Sequence, residues 1–397
     1  MAIPVPHGGR LIDGRLPKAR AQAIRARHAA GELDLLAIEE GTAREIANIA
    51  SGLYSPLTGF MGEAELSSVL SRGRLPSGVP WTLPVLLRLD DGAMAGLRDP
   101  IPELVGLTLA GRLIAVLQPG EVFSVDAPRA ARLLFGTRDP AHPGAAAFMS
   151  APTHALSGRV WQMEELPAPP GVVLASPRTT RRAIQALGWK DVVAFQTRNA
   201  PHLGHEYIQK TALTFSDGLL ISPVIGPKKA GDFSDEAIMK AYASLVTAYY
   251  PPSSVLLAPI AYEMRYAGPK EAIHHAIMRK NLGCSKIVIG RDHAGVGKFY
   301  GPRDAQVIFS RFPDLGIEPV PFGEFYRCRR CGGVVNPKTC PHSGDDLVHF
   351  SGTRVRRALL AGEGADGLVR PEVASTLASI PFPFVGIPPH AERAGEA

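Results

Sequence analysis

The chain has 397 residues, a length that predicts two or three domains and a sizeable hydrophobic core. Its composition, 45% hydrophobic and 20% charged residues, is typical of a globular protein, and no apolar run approaches the roughly 18 residues of a membrane-spanning helix. The net charge of +6 suits either nucleic acid or an electropositive pocket for anionic substrates. Because no run of five basic residues occurs and aromatic residues make up only 7%, we favour the pocket and expect neither a nucleic-acid nor a membrane partner. Residues 1–7 show no secretory signal pattern, so we expect a cytoplasmic protein.

Residues 1–168 predict a small α+β domain with a barrel-like sheet, because strands and helices do not alternate there. The elements with the clearest patterns are a helix over 41–51, a strand over 81–89 and two further strands over 107–117 and 121–125. Thr42 is a candidate cap for the helix. The pair Pro119-Gly120 predicts a hairpin turn between the last two strands. The residues of this domain are consistent with a scaffold that has a packing role and no chemistry of its own.

A proline-rich stretch within 165–172 predicts a linker, after which strands and helices alternate. The expected helices are 179–187, 203–215, 235–249, 270–282 and 303–312, and the expected strands are 192–195, 218–224, 255–260, 286–289 and 317–321. This alternation predicts right-handed βαβ units and a parallel sheet covered on both faces. Ligands of such sheets bind beyond the carboxyl ends of the strands, which selects the loops after Phe195 and Ile289.

The loop after Phe195 has the sequence Q-T-R-N-A-P-H-L-G-H-E over 196–206, between a strand and a helix. His202 and His205 are three residues apart near the helix start, so both imidazoles can face one ligand. The helix N-terminus offers N–H groups and partial positive charge, and Arg198 adds a permanent cation for an oxyanion. The loop predicts a polyphosphate site, although a bare H-x-G-H is also consistent with capping or surface histidines.

The loop after Ile289 has the sequence G-R-D-H-A-G-V-G over 290–297. Its glycines allow the backbone to approach a ligand, and Arg291 and His293 provide donors. The spacing of a Walker A loop is missing. Alone, the loop is equally consistent with a glycine-rich turn in which Asp292 caps backbone groups. A second candidate loop at the same sheet edge favours a ligand site.

Three cysteines, Cys328, Cys331 and Cys340, lie within thirteen residues. With their C-x-x-C spacing and a nearby histidine, either His342 or His349, they predict a tetrahedral structural zinc site rather than a disulfide framework. A zinc ribbon that binds nucleic acid is the weaker alternative.

The segment S-G-T-R-V-R-R, which begins at Ser351, predicts a helix start that binds phosphate. Ser351 or Thr353 would cap a helix over 354–360, and Arg356 or Arg357 would reach the phosphate. Capping alone also explains this pattern.

Together these motifs resemble the ATP sulfurylase family, a member of the nucleotidylyltransferase superfamily that H-x-G-H marks. The likeness rests on both loops, on S-G-T-x-x-R and on a C-P-H string found in zinc-carrying members. Further similar strings are P-H-G-G at 6–9, S-P-L-T-G-F-M at 55–61, M-R-Y-A-G-P-K-E-A at 264–272 and R-P-E-V at 370–373. The resemblance therefore covers nearly the whole chain.

The resemblance implies a PUA-like, barrel-like N-terminal domain, a Rossmann-like catalytic domain and a small zinc-containing C-terminal domain, at 1–168, 169–323 and 324–397. It implies that ATP and sulfate react reversibly to adenosine 5′-phosphosulfate and pyrophosphate, by direct in-line attack of sulfate on the α-phosphate. Mg²⁺ would accompany ATP, and the protein would be a homodimer or a larger homo-oligomer. The structural Zn²⁺ would be bound by Cys328, Cys331, Cys340 and His342.

Residue roles follow from the same resemblance. The catalytic residues would be Thr197, Arg198, Asn199, His202 and His205, of which the histidines steady the phosphates in the transition state. Sulfate would be bound by Gln196, Arg198 and the Ala294 amide. ATP would contact Gln196, Thr197, Arg198, Asn199, His202, His205, Gly290, Arg291, Asp292, His293 and Phe325. Ala200 stands where many members have proline, and Phe325 differs from the family's adenine contact. His274 and His275 are expected to pack or to face solvent.

This chemistry is consistent with the residue types. Sulfate carries no proton to remove at neutral pH, so the site needs no general base. It must instead position two anions and neutralise the charge that develops on the α-phosphate and the leaving pyrophosphate. Arginine, histidine, backbone amides and Mg²⁺ can do this without a catalytic carboxylate.

Two alternative functions are weaker. One is another H-x-G-H nucleotidylyltransferase that acts on nicotinamide mononucleotide or phosphopantetheine, but such enzymes lack the Q-T-R-N and G-R-D-H-A-G strings. The other is a zinc-ribbon protein that binds nucleic acid, which the pI of about 9.2 suggests.

Overall fold

A computed structural model describes residues 3–350, 352–360 and 367–387. Its N-terminal unit contains α1 (Lys18–Ala29), β1 (Asp34–Ala37), α2 (Glu40–Ala50), β2 (Gly59–Phe60), α3 (Glu63–Arg72), β3 (Leu87–Leu89), α4 (Asp91–Gly96), β4 (Val105–Leu109), β5 (Arg112–Ser124), α5 (Ala127–Phe135), α6 (Pro143–Ser150) and β6 (His154–Gln162). The strands form one sheet in the order β1-β4-β5-β6-β2, and β3 also pairs with β6. Among these described strands, β1 and β4 run parallel and the other pairs are antiparallel. The α+β prediction is confirmed.

The hairpin predicted around Pro119 is wrong. The turn between β4 and β5 lies at Ala110 and Gly111, where φ is 48° and 78°, the pair of positive values found in a type I′ turn. Pro119 lies inside β5, at a register shift against β6. There the Glu121 N–H donates to the Ser157 hydroxyl at 2.8 Å. Pro119 has no N–H to donate to the hydrogen bonds between β5 and β6, and the strand accommodates it at a bulge.

Two smaller expectations in this unit are also corrected. β3 covers Leu87–Leu89 and is shorter than the strand predicted over 81–89. In the segment before it, Trp81 is fully buried and its indole N–H donates to the Leu83 carbonyl at 2.6 Å. Thr42 lies inside α2 and does not cap it. Both errors arise where side chains pack in ways that a local pattern does not reveal.

The middle of the chain confirms the predicted alternation. Its elements are α7 (Pro177–Ala186), β7 (Val192–Thr197), α8 (Leu203–Leu213), β8 (Gly218–Ile225), α9 (Asp235–Tyr249), β9 (Val255–Leu257), β10 (Ile260–Ala261), α10 (Pro269–Leu282), β11 (Lys286–Ile289), α11 (Asp304–Val307) and β12 (Glu318–Pro321). The sheet is parallel, with the order β10-β8-β7-β11-β12, and β9 also pairs with β8. Pro259 divides the strand predicted over 255–260 into β9 and β10. The helix predicted over 303–312 is α11 followed by a 3₁₀ turn, Ile308–Arg311.

The sheet register brings the two candidate loops to one edge. β7 lies between β8 and β11, and Ala194 of β7 is paired with Ile287 of β11. Because these parallel strands point the same way, the chain leaves both of them on the same side of the sheet. One buried apolar cluster joins this domain to the N-terminal unit, since it contains both Ile46 of α2 and Ile273 of α10. The two units therefore share a core beneath the loops.

The C-terminal part adds β13 (Tyr326–Cys328), β14 (Val334–Val335), β15 (Leu347–His349), α12 (Gly352–Leu360) and α13 (Pro371–Ala378). The strands form a small antiparallel sheet in the order β14-β13-β15. Val355 of α12 and Leu377 of α13 join the apolar core that contains Tyr242 of α9, so these helices cover one face of the parallel sheet. The domain boundaries at 168 and 323 stay predictions. Among the described residues, no helix is long and apolar enough to cross a membrane.

Candidate active site

The first loop begins at the end of β7 with a short polar turn. Gln196 is half-buried, and its amide nitrogen lies 2.9 Å from His275 Nδ1. The Thr197 hydroxyl accepts the Asn199 N–H at 3.1 Å, which bends the chain sharply between these residues. Ala200, where the family often has proline, is buried in the apolar core. The turn is therefore shaped by its own hydrogen bonds and by packing.

Arg198 is held by a neutral partner. Its Nη1 donates to the Tyr266 hydroxyl at 2.9 Å, and its guanidinium carbon lies 5.7 Å from the centre of the Tyr266 ring. Within the described residues, no carboxylate forms an ion pair with Arg198. The full positive charge is therefore available to an anionic ligand.

His202 and His205 stack at the start of α8. Their ring centres are 3.7 Å apart, and His202 caps the helix by accepting the His205 N–H through Nδ1 at 3.1 Å. The neutral His202 ring therefore has its proton on Nε2, where it can be donated to a ligand. A Cβ on Gly204 would meet Phe350 at 2.9 Å and the His202 ring at 3.1 Å, so the glycine makes room for this packing. The expected common face of the histidines is confirmed.

Both histidines are uncharged at neutral pH in this structure. Burial lowers the pKa of His205 to about 4, partly offset by the Ala200 carbonyl. Burial also lowers the pKa of His202 well below its usual value, and His205 lowers it further. Each ring thus offers one neutral N–H, and a bound polyphosphate would favour the protonated form.

The second loop meets the first through a histidine that the sequence analysis had assigned to packing or solvent. His275 of α10 is fully buried, and its Nδ1 lies 2.9 Å from both Gln196 Nε2 and His293 Nε2. Glu271 Oε1 lies 3.5 Å from its Nε2, which favours a proton there and leaves Nδ1 as an acceptor. His275 therefore packs in the interior, as expected, and its ring contacts both loops. A signal was present, since a buried helix face that carries Glu and His four residues apart is unusual.

His274 behaves as expected. It is buried, and its ring lies 5.0 Å from that of Tyr54 and 5.1 Å from that of Trp81. Burial lowers its pKa well below the usual value, so it packs as a neutral aromatic group.

The backbone of the second loop is strained at two residues. Asp292 and Ala294 have φ values of 53° and 57°, which side-chain-bearing residues seldom adopt. The Ala294 carbonyl accepts the Gly268 N–H at 3.0 Å, whereas the Ala294 N–H has no acceptor among the described residues. Burial lowers the pKa of His293 to about 3, so this ring too is neutral. The Ala294 amide is thus available as a donor to an anion.

Arg291 differs from Arg198 because carboxylates already hold it. Its guanidinium forms an ion pair with Glu324 and lies 3.3 Å from Asp292 Oδ2. Gly290 precedes it after the end of β11, and no neighbouring atom of the described residues lies within 4 Å of the position that a Cβ would take on this glycine. Next to Glu324, the Phe325 ring lies 5.1 Å from Tyr207 of α8. Phe325 therefore lies beside the helix that carries the two histidines.

The cysteine cluster forms as predicted. Cys328, Cys331, Cys340 and His342 place their ligand atoms within 4.8 Å of one another. The neighbouring Sγ and Nδ1 atoms are 3.3 to 3.6 Å apart, close to the edges of a tetrahedron with Zn–S bonds of about 2.3 Å. His349 is not in this group, since its ring packs on Tyr326 at 4.7 Å. The donor set and its geometry fit zinc.

Only part of the S-G-T-R-V-R-R segment lies among the described residues. Ser351 lies outside the described residues, and so does the side chain of Thr353. The helix expected over 354–360 lies within α12. The Arg356 guanidinium forms an ion pair with Asp232, which lies between β8 and α9. Arg357 is exposed. The predicted phosphate contact therefore stays a prediction.

Known proteins similar to this chain agree on one family. A family model described as ATP-sulfurylase matches residues 172–380, and one described as PUA-like domain matches residues 4–165. A sulfate adenylyltransferase of Hyperthermus butylicus is 45% identical over 96% of this chain and 97% of its own length. One of Symbiobacterium thermophilum is 44% identical over 94% of this chain and 95% of its own. The chain belongs to the ATP-sulfurylase family.

The solved structures agree with this fold. A chain described as a hexameric APS kinase from Thiobacillus denitrificans superposes with a TM-score of 0.71 over 94% of this chain and 67% of that chain, at 22% identity. At this identity the likeness supports the fold alone. Family membership confirms the resemblance and the PUA-like N-terminal domain, and it disfavours both the other H-x-G-H transferases and the nucleic-acid binder.

Proposed function

We propose that this site transfers the adenylyl group of ATP to sulfate, giving adenosine 5′-phosphosulfate and pyrophosphate. The activity is that of a sulfate adenylyltransferase, since relatives of that name match at 40–45% identity over most of the chain. The reaction is reversible, so the same site can also make ATP from adenosine 5′-phosphosulfate and pyrophosphate. The observation that carries the proposal is the Gln196–His275–His293 contact, which joins two donor-bearing loops at one sheet edge.

Sulfate would lie beside Arg198, Gln196 and the Ala294 amide. The charge of Arg198 is not cancelled by a carboxylate, and the Ala294 N–H has no protein acceptor among the described residues. Gln196 has one amide hydrogen directed to His275 and a second for a ligand. These donors can hold a tetrahedral dianion without a proton transfer.

The phosphates of ATP would lie against the start of α8. His202 would donate from Nε2, and His205 stacks on it, so the two imidazoles could stabilise the charge that develops on the leaving pyrophosphate. Thr197 and Asn199 shape the turn from which Arg198 projects. Gly290, Arg291, Asp292, His293 and Phe325 would line the nucleotide. Because these groups position and neutralise rather than move protons, we assign direct in-line attack of sulfate on the α-phosphate.

The metals have separate roles in this proposal. Mg²⁺ would accompany ATP, because Asp292 and Glu324 already lie against Arg291 and Mg²⁺ is usually held by substrate phosphates. Zn²⁺ would be bound by Cys328, Cys331, Cys340 and His342 and would be structural, since four protein ligands leave no open position. Bound there, the ion would link the end of β13 to the segments before and after β14, close in sequence to Phe325.

Two further proposals concern the protein's setting. We propose a cytoplasmic location, which four cysteines without a disulfide support. We also propose a homodimer or larger homo-oligomer, as the resemblance implies.

The deciding experiment is ATP–pyrophosphate exchange with labelled pyrophosphate. We expect exchange that depends on sulfate and Mg²⁺, and AMP release when molybdate replaces sulfate, because the resulting mixed anhydride is unstable in water. An exchange rate that does not depend on sulfate but increases with a mononucleotide would indicate another nucleotidylyltransferase. Salt-dependent binding to nucleic acid without ATP turnover would support the nucleic-acid binder.

A further inference from the structure

The partner of Arg198 is unusual for an arginine beside an anion site. A carboxylate would fix the guanidinium but would compete with sulfate for its charge, at a cost in binding. The Tyr266 hydroxyl, 2.9 Å from Nη1, accepts a hydrogen bond and carries no charge. It can therefore orient a long, flexible side chain and leave its charge intact.

The backbone of Tyr266 is held in a rare conformation. Its φ of 58° is positive, which costs free energy for a residue with a side chain and persists only where surrounding contacts impose it. The neighbouring amides supply such contacts, since the Arg265 and Ala267 N–H groups donate to the Glu271 carboxylate at 2.8 and 2.9 Å. Glu271 is fully buried. The strained turn is thus clamped to α10 on both sides of Tyr266.

A second set of contacts fixes the other side of this turn. The Tyr266 carbonyl accepts the Tyr300 O–H at 3.1 Å, and the same Tyr300 oxygen lies 3.0 Å from His142 Nε2 in the N-terminal domain. The Tyr300 ring also covers Gly268, where a Cβ would meet it at 2.7 Å and where φ is 50°. The Gly268 N–H donates to the Ala294 carbonyl of the second loop at 3.0 Å. Three parts of the molecule therefore set the position of Tyr266.

We propose that Tyr266 is a positioning residue for the reaction, whose hydroxyl aims the Arg198 guanidinium at the sulfate oxyanion without neutralising it. This inference rests on the sulfate-binding role of Arg198 proposed above. Tyr266 acts through Arg198 and touches no reacting atom in this account. Its loss should therefore weaken the use of sulfate and leave the binding of ATP unchanged.

The variant Tyr266→Phe tests the hydroxyl alone. It keeps the ring on which the Lys229 ammonium lies, 5.7 Å from the ring centre, and it leaves the backbone clamp in place. We expect kcat/KM for sulfate to fall roughly tenfold, as for a lost hydrogen bond to a charged group, with the KM for ATP and the unfolding temperature unchanged. The control is Tyr249→Phe, which removes a surface hydroxyl bonded to Glu372 and should change neither constant. Equal losses for ATP and sulfate, or no loss, would overturn the inference.

A double-mutant cycle separates action through Arg198 from a general structural effect. Arg198→Lys keeps the charge but removes the guanidinium, so adding Tyr266→Phe to it should cost much less than the tenfold expected in the parent protein. Exchange of labelled pyrophosphate measures the low residual rates. An undiminished tenfold loss would show that Tyr266 does not act through Arg198. If Arg198→Lys keeps normal sulfate kinetics, the role of Arg198 itself fails, whereas a normal Tyr266→Phe alone defeats only this inference.

Discussion

Arg198 and Arg291 occupy matching places, since each follows the end of a neighbouring parallel strand. Arg198 is paired only with the Tyr266 hydroxyl, and no carboxylate among the described residues reaches it. Arg291 is bound by Glu324 and lies beside Asp292. The two arginines therefore differ in the charge that they can offer a ligand, although both were assigned ligand contacts from sequence alone.

The same contrast extends to the whole loops. The first loop offers two donors that have no anionic partner among the described residues, namely Arg198 and His202 Nε2. The second loop uses His293 and the Ala294 carbonyl to hold its own shape, through His275 and Gly268. We propose that the first loop would supply most of the charge stabilisation and that the second would shape the site and offer one amide donor.

The largest effect should come from Arg198→Ala. Removing the uncompensated cation should abolish adenylyl transfer, with a loss of at least about 10³-fold in kcat/KM for sulfate. Because the side chain is half-buried and its one hydrogen bond within the described parts of the chain is to Tyr266, the unfolding temperature should stay close to that of the parent protein. The exchange assay and a thermal melt check both points. Near-normal turnover of Arg198→Ala would show that the absence of a carboxylate partner does not make Arg198 more important than Arg291.

His205→Ala should rank second. The histidine stacks on His202 where pyrophosphate charge is expected to develop, so turnover should fall by roughly 10²-fold and the KM for ATP should change less. Steady-state kinetics with varied ATP measure the two constants. His28→Ala, which removes a histidine in the last turn of α1 that has no part in the proposed site, is the control. Equal changes in both constants would make His205 a plain binding residue.

Loss of the cysteine cluster should have an intermediate effect. His342→Asn should lose one equivalent of zinc by elemental analysis, lower the unfolding temperature and reduce activity by about tenfold, because β13 begins next to Glu324 and Phe325. His349→Asn is the matched control and should keep the metal, since His349 lies outside the cluster. A protein without zinc as purified, but with full activity and stability, would contradict this prediction.

The smallest effect should come from Arg291→Ala. Its charge is already balanced by Glu324, so we expect a rise of a few-fold in the KM for ATP and little change in kcat. Glu324→Gln sharpens the comparison, because it keeps Arg291 and releases its charge toward the nucleotide, so the KM for ATP should not rise. A loss in Arg291→Ala as large as that in Arg198→Ala would show that the ion pair opens in the working enzyme.

Local patterns predicted the catalytic domain well. α9 begins and ends where expected, and Ser234 caps it by accepting the Ala237 N–H at 3.1 Å. β11 also has its predicted bounds. These elements depend on residues within a few positions of one another, which a sequence displays directly. The turn predicted at Pro119 was wrong because the pairing of β5 with β6 decides whether this proline lies in a turn or in a bulge.

The amino-acid pattern was enough to predict the alternation of strands and helices, the two loops at one sheet edge and the histidine pair at a helix start. The folded chain was needed to show that Arg198 has no carboxylate partner among the described residues, that His275 contacts both loops, and that His342 rather than His349 lies in the cysteine cluster. The groups concerned are far apart along the chain. Tyr266 is 68 residues from Arg198 and His275 is 79 from Gln196, so the partners that set each group's charge and direction meet only when the chain folds.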